Sequence, residues 1–203
     1  LPYWEDFEVV QKVFYVAPEG NDTINNGDKL SAPFKTIKYA CDYIQQDLNN
    51  RAPATVFVKT GIYEEILPIT VPRDVAIVGD ELRSTTIQPQ VGYETNDMFR
   101  VRNGCGIRNM TLQGMSGVLG SVDNYGAQVP NTGAYVALDP GSGPADTSVW
   151  ITNKSTYVQN VTTIGTACIG MKIDGALHNG GNKSIVANDF TQFITDGIGM
   201  WCN

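Results

Sequence analysis

Three aspartates, Asp174, Asp189 and Asp196, and a single histidine, His178, are the residues near the end of this sequence whose types could do chemistry. Two carboxyl groups about 5 to 10 Å apart hydrolyse a glycosidic bond, one protonating the leaving oxygen while the other attacks the sugar or activates water. In a strand-rich, repetitive chain some pair at that separation arises without selection, so turn and capping roles are the better reading of all three. His178 stands in the glycine-rich GALHNGGNKS with no Ser or Cys beside it. A lone imidazole without a nucleophile or an orienting acid makes no catalytic set. DTINNGD, residues 22–28, invites a calcium reading, but Ile24 occupies a ligand position and no Glu closes the loop. A solvated turn is expected there. Flat aromatic faces in loops stack on sugar rings, which makes Tyr125, Tyr135 and Trp150 candidate glycan contacts, with Trp201 beside them. Cys41, Cys105, Cys168 and Cys202 are widely spaced with no CxxC pair, so buried reduced thiols are expected rather than a metal site or a disulfide framework. No cofactor and no metal are expected.

The elements that would position these residues are announced by a repeat. SIVANDFTQFITDGIGMWCN, residues 184–203, reads as a reworked copy of TYVQNVTTIGTACIGMKID, residues 156–174. Matching Asn160 to Asn188 gives an offset of 28, and matching Ile169, Gly170 and Met171 to Ile198, Gly199 and Met200 gives 29. A period near thirty residues marks a solenoid, whose units bury their apolar faces only by stacking. GIRNMT, YVQNVT and IVANDF set Asn109, Asn160 and Asn188 in like surroundings. Stacked asparagines bridge their amides from coil to coil and tolerate the left-handed backbone of a tight turn. This predicts a ladder of Asn109, Asn160 and Asn188, with Ile169 over Ile198 and both pointing inward. Asn21, Asn109, Asn153, Asn160 and Asn182 also stand in NxS/T sequons, and the turn ladder is preferred to glycosylation.

Length and composition bound the rest. The chain has 203 residues, 42% hydrophobic and 17% charged, with 21 glycines and a net charge of −7, enough for one core rich in turns. No Lys or Arg occurs between Arg108 and Lys154, and nucleic acid needs clustered cations. No apolar run is long enough to insert in a membrane. LPYWEDFEVV has no basic region ahead of an apolar stretch, so no signal peptide is read there. The absence of an initiating Met and an ending inside a repeat lead us to expect a section of a longer chain.

In FKTIKYACDYIQQDL the apolar residues Ile37, Cys41, Ile44 and Leu48 recur at helical steps. The spacing predicts a helix over 35–48 that covers one end of the solenoid. After Pro53 come short runs such as TVFVK, VAIVG, AYVAL and SVWIT, with no helices between them, which excludes alternating βα units. A sandwich does not repeat its sequence from strand set to strand set; a parallel β-helix does. The expected organisation is a connecting segment over 1–30, a capping-helix region over 31–52 and a right-handed parallel β-helix over 53–203. Residues 114–147, rich in Gly, Pro, Asn and Asp, are a loop excursion from it, and long excursions often carry recognition.

VFVKTGIYEEILPITVPRDVAIVGDELRSTTI, residues 56–87, with its VxVxxGxYxE, IxG and TxI pattern, is similar to the opening coils of pectate-lyase-like right-handed β-helices. GND followed by APFKTIKYACDYI resembles the loop and capping helix that start many such proteins. Residues 150–203 resemble the repeated coils of large virion structural proteins from contractile-tailed phages of marine cyanobacteria. The esterase members need two aspartates, glutamines and an arginine on one face of the coils; this sequence has no QAVAL, QDTL or DFIFG, and NDFTQFITDG is the nearest text. Lyase calcium clusters and a catalytic base are likewise unmatched. The resemblance implies a non-enzymatic virion protein of the tail (baseplate, fibre or spike), folded in the host cytoplasm before assembly. Other virion proteins would be its partners, with a homo-oligomer, such as a trimer, and host surface polysaccharide as further partners. A tailspike enzyme that degrades or deacetylates polysaccharide, and a non-catalytic glycan-binding adhesin, are the alternatives.

Overall fold

The computed structural model describes residues 12–46, 53–101, 104–117, 119–122, 128–130, 133–138, 156–173 and 185–202. These are mostly β-strand, with one short helix. After β1 (Lys12–Val16) and α1 (Ile37–Gln45) the chain advances in passes. The first pass holds β2 (Ala54–Val58), β3 (Gly61–Glu65) and β4 (Ile69–Thr70), and the second β5 (Val75–Gly79), β6 (Thr85–Pro89) and β7 (Phe99–Val101). In the third, β8 (Gly106–Ser116) spans two sides at once. An antiparallel pair, β9 (Leu119–Val122) and β10 (Gln128–Pro130), follows it, and β11 (Ala134–Leu138) completes the pass. The fourth is β12 (Thr156–Thr166) with β13 (Ile169–Ile173), and the fifth β14 (Ile185–Thr195) with β15 (Ile198–Cys202).

Corresponding strands of successive passes pair in parallel, forming three ladders. β1, β2 and β5 continue into the first halves of β8, β12 and β14. β3 and β6 continue into their second halves. β4, β7, β11, β13 and β15 form the third ladder. Alternation fixes the register, because a slip of one residue would turn every buried side chain outward. In β2 and β5 every second residue is buried. The buried residues stack in columns: Phe14, Val56, Ile77, Ile107 and Val158 in the first ladder, Tyr63, Ile87 and Leu112 in the second, and Ile69, Phe99, Val136 and Met171 in the third. All belong to one core cluster. Each buried aliphatic side chain contributes about 1.5–3 kcal/mol before entropy is subtracted.

The three long strands are each eleven residues and turn a corner at one left-handed residue: Asn109 (φ 55°), Asn160 (φ 52°) and Asp189 (φ 52°). A single such residue redirects a strand without a loop, and Asn and Asp tolerate it best among residues with a side chain.

α1 closes the first passes by packing on β1, β2 and β4. Thr36 caps it, its Oγ accepting the Tyr39 N–H at 3.2 Å. Ile37, Cys41 and Ile44 are fully buried as expected from their spacing. The helix ends at Gln45, shorter than the 35–48 expected, and Leu48 lies outside the described residues. Two ladder strands lie inside the spans read as a connecting segment and a loop excursion: β1 within 1–30, paired with β2, and β11, the AYVAL run, within 114–147, paired with β7 and β13.

Candidate functional site

The corner residues come first, because the sequence singled them out. The Asn160 side-chain amide donates to Asn109 Oδ1 at 3.1 Å. The next member is not Asn188. β12 pairs with β14 at a constant offset of 29, so Gln159 faces Asn188, and Asp189 is the left-handed residue of that corner. The ladder is therefore Asn109, Asn160, Asp189. Ile169 does lie over Ile198. They pack with Ala134, Ala137 and Trp201 in a cluster separate from the main core.

The two described carboxylate candidates, Asp189 and Asp196, do not converge. Asp189 forms the corner inside β14, and Asp196 (φ 51°) forms the one between β14 and β15. The extended half-strand between them holds the two about 20 Å apart at ~3.3 Å per residue, beyond the reach of a glycosidase pair. Asp174 and His178 lie outside the described residues. Asp22 accepts from the Lys35 and Thr36 N–H groups at 2.7 and 3.2 Å and from the Thr36 hydroxyl at 2.8 Å. It braces the start of α1. Among the described residues no three metal-ligating side chains gather.

Of the aromatic candidates, Tyr135 is fully buried, its hydroxyl donating to Ile164 O at 2.5 Å and accepting from Met115 N–H at 3.2 Å. It offers no face to a sugar. Burial pushes its hydroxyl well above the usual phenol range. Tyr125 and Trp150 lie outside the described residues, and the half-buried Trp201 ring carries the Lys172 ammonium 5.1 Å from its centre. Cys41, Cys105 and Cys168 are buried and outside any disulfide; burial pushes Cys168 up to about 11. The Cys202 side chain lies outside the described residues.

The GIYEE motif, by contrast, has a visible job. The Tyr63 hydroxyl donates to Lys59 O at 2.8 Å, closing the corner between β2 and β3. Glu65, 1% exposed, accepts the Ile37 N–H at 2.6 Å and the Lys38 N–H at 3.2 Å. It binds the first turn of α1 to the second ladder, where free N–H groups and the helix dipole favour an anion. Burial raises its carboxyl to about 7 against those two hydrogen bonds, with Asp22 raising it further and Lys38 lowering it. Sequence reasoning missed Glu65. The available signal was its phase, since it shares the inward parity of Tyr63.

The two ends of the ladders differ. The outer edge of β1 is closed, with Tyr15 N–H donating to Gly27 O at 2.7 Å and Phe34 N–H to Tyr15 O at 2.8 Å. β14 and β15 pair only on their inner sides among the described residues. Met200 continues the column of Val136 and Met171 yet is 55% exposed, against 2% for Met171. In the second column Thr163 and Gln192 follow Leu112, and Thr163 Oγ1 and Gln192 Oε1 are buried with no partner among the described residues. Neither strand contains Lys, Arg or Pro, the residues that usually keep a sheet edge from pairing.

Residues 18–202 match the family described as a protein of unknown function, DUF1565. No curated protein and no solved structure matches the chain.

Proposed function

The chain belongs to the DUF1565 family, and we propose that it is a right-handed parallel β-helix of the pectate-lyase-like kind, serving as a rigid, non-catalytic structural element of a contractile phage tail. The observation that carries this reading is the contrast between the two ends of the ladders. At one end the outer edge of β1 is closed by backbone hydrogen bonds and α1 packs on the first pass, whereas among the described residues β14 and β15 pair only on their inner sides and contain no Lys, Arg or Pro. Stacked columns supply stiffness along the ladders, because each pass is fixed by its neighbours on three sides. The two described acids weighed as a catalytic pair, Asp189 and Asp196, stand at left-handed corners.

Its partners on this reading are other virion proteins and further copies of the chain, and its place is the virion tail. The test is incubation of the purified chain with a panel of host-type capsular and envelope polysaccharides. No release of reducing ends, unsaturated sugars or acetate is expected. Release that is lost in Asp189→Asn or Asp196→Asn would replace the structural reading with the tailspike enzyme. Saturable sugar binding without cleavage would replace it with the adhesin.

A further inference from the structure

We propose that the groove between the free edge of β3 and the start of α1 binds an extended peptide as an added strand, with the pattern aliphatic-x-Lys/Arg-x-aliphatic.

Among the described residues β3 pairs with β6 alone. Gly61 N–H donates to Ser84 O at 2.7 Å and Gln90 N–H to Glu65 O at 2.8 Å, so residues 61, 63 and 65 address β6. In a parallel strand successive residues address opposite sides. The backbone N–H and C=O of Ile62 and Glu64 therefore point away from β6. Residues of this strand and of α1 line a common groove of about 700 Å³, among them Thr36, Tyr39 and Asp42 of the helix and its N-cap and Ile62, Glu64 and Ile66 of the strand and its continuation. An unpaired strand edge beside a helix is a setting in which proteins capture extended peptides: main-chain hydrogen bonds give affinity and alternate side chains give specificity.

The side chains along this edge state what fits. Ile62 is 65% exposed and Ile66 46%, with Glu64 between them on the same face of the chain. Among the described residues the Glu64 carboxylate meets only the Gln88 side-chain amide, at 3.3 Å. A strand laid alongside sets residues directly opposite these three, and cross-strand pairs favour apolar against apolar and cation against anion. The matching pattern is aliphatic, cation, aliphatic at alternate positions, and it reads the same in either chain direction. Two other charges in the groove are already engaged: the Lys38 ammonium donates to Pro68 O at 2.9 Å, and Asp22 holds the helix start. Lys35 also lines the groove, with its backbone N–H on Asp22. The net charge of −7 draws a cationic segment toward the surface.

The inference goes beyond the tail reading and does not need it. A chain that binds the peptide yet is absent from particles would keep the groove and lose the tail assignment. The probe is a fluorescent peptide, Gly-Thr-Ile-Thr-Lys-Thr-Val-Thr-Gly, titrated with the purified chain and followed by anisotropy. Saturable binding is expected. Ile62→Pro, which removes one groove-facing N–H, should weaken it about tenfold, the size of one lost hydrogen bond at its upper range. Glu64→Lys should reverse the preference towards the same peptide with Glu in place of Lys. Circular dichroism confirms that each variant is folded, and the exposed Glu64 site keeps the test informative if Ile62→Pro does not fold. No saturable binding, equal binding of the Lys and Glu peptides, or binding unchanged by Glu64→Lys would each overturn the proposal.

Discussion

The Asn160 side-chain amide donates to Asn109 Oδ1 at 3.1 Å across 51 residues of sequence. Both residues are left-handed, and each turns a long strand from the first ladder into the second. One hydrogen bond thus ties two corners that the backbone alone would leave strained.

Replacing Asn160 with Ala removes the bond and places an ordinary side chain in the left-handed region. We expect a loss of about 1 kcal/mol for the bond and about 1 kcal/mol for the backbone. Asn160→Gly relieves the second cost and should be the milder variant. Urea unfolding followed by circular dichroism measures both. Equal, near-zero effects would mean that the corner is not held by this amide.

Gly79 lies under that same corner. A Cβ there would meet the Asn109 carbonyl oxygen closer than real Cβ atoms approach backbone. Gly79→Ala should therefore cost roughly 1–3 kcal/mol, as overpacking does, with a matching fall in the urea midpoint. Wild-type stability in this variant would show that β5 and β8 have room to part.

Glu65 makes stability depend on pH with a definite sign. Its carboxyl is raised to about 7 from an ordinary 4.5, so the folded chain holds this proton more tightly than the unfolded chain does. The stabilising effect of the proton is full below pH ~4.5 and lost as pH rises through ~7. From this group alone, stability should grow by roughly 3 kcal/mol between pH 8 and pH 4.5, since tenfold tighter proton binding corresponds to ~1.4 kcal/mol. Comparing wild type with Glu65→Gln isolates it: the variant should lack this slope. A parallel pH profile for both proteins would remove Glu65 from the linkage.

Tyr135 tests the aromatic reading. Tyr135→Phe leaves the Met115 N–H and the Ile164 carbonyl without their buried partner, which should destabilise by about 1–3 kcal/mol. The variant should leave any binding to soluble polysaccharide unchanged, because the ring is buried. Loss of sugar binding at full stability would contradict that placement.

The repeat was legible because Ile169 and Ile198 are direct cross-strand partners, and stacking constrains both to similar types. The Asn ladder was misread by one residue at its last member for a related reason. A left-handed corner accepts Asp as readily as Asn, so matching residue identity drew Asn160 to Asn188 although the backbone aligned it with Asp189. Ile37, Cys41 and Ile44 were legible from helical spacing, since one face of α1 must be apolar to close the core. Glu65 was not, because a charged residue in a strand is ordinarily a solvated one; only the approach of the α1 N-terminus makes its inward position tolerable. The groove beside β3 was invisible for a deeper reason: a free edge depends on which strands fail to pair, and no local pattern records that.

The central claim, that this chain is built into a tail, is tested most directly by immunogold labelling of purified phage particles with antibody raised against the chain, alongside mass spectrometry of the washed particles. The structural reading predicts label at a fixed place on the tail and peptides of the chain retained after washing. Its absence from washed particles, with the protein abundant in the soluble fraction of infected cells, would contradict it.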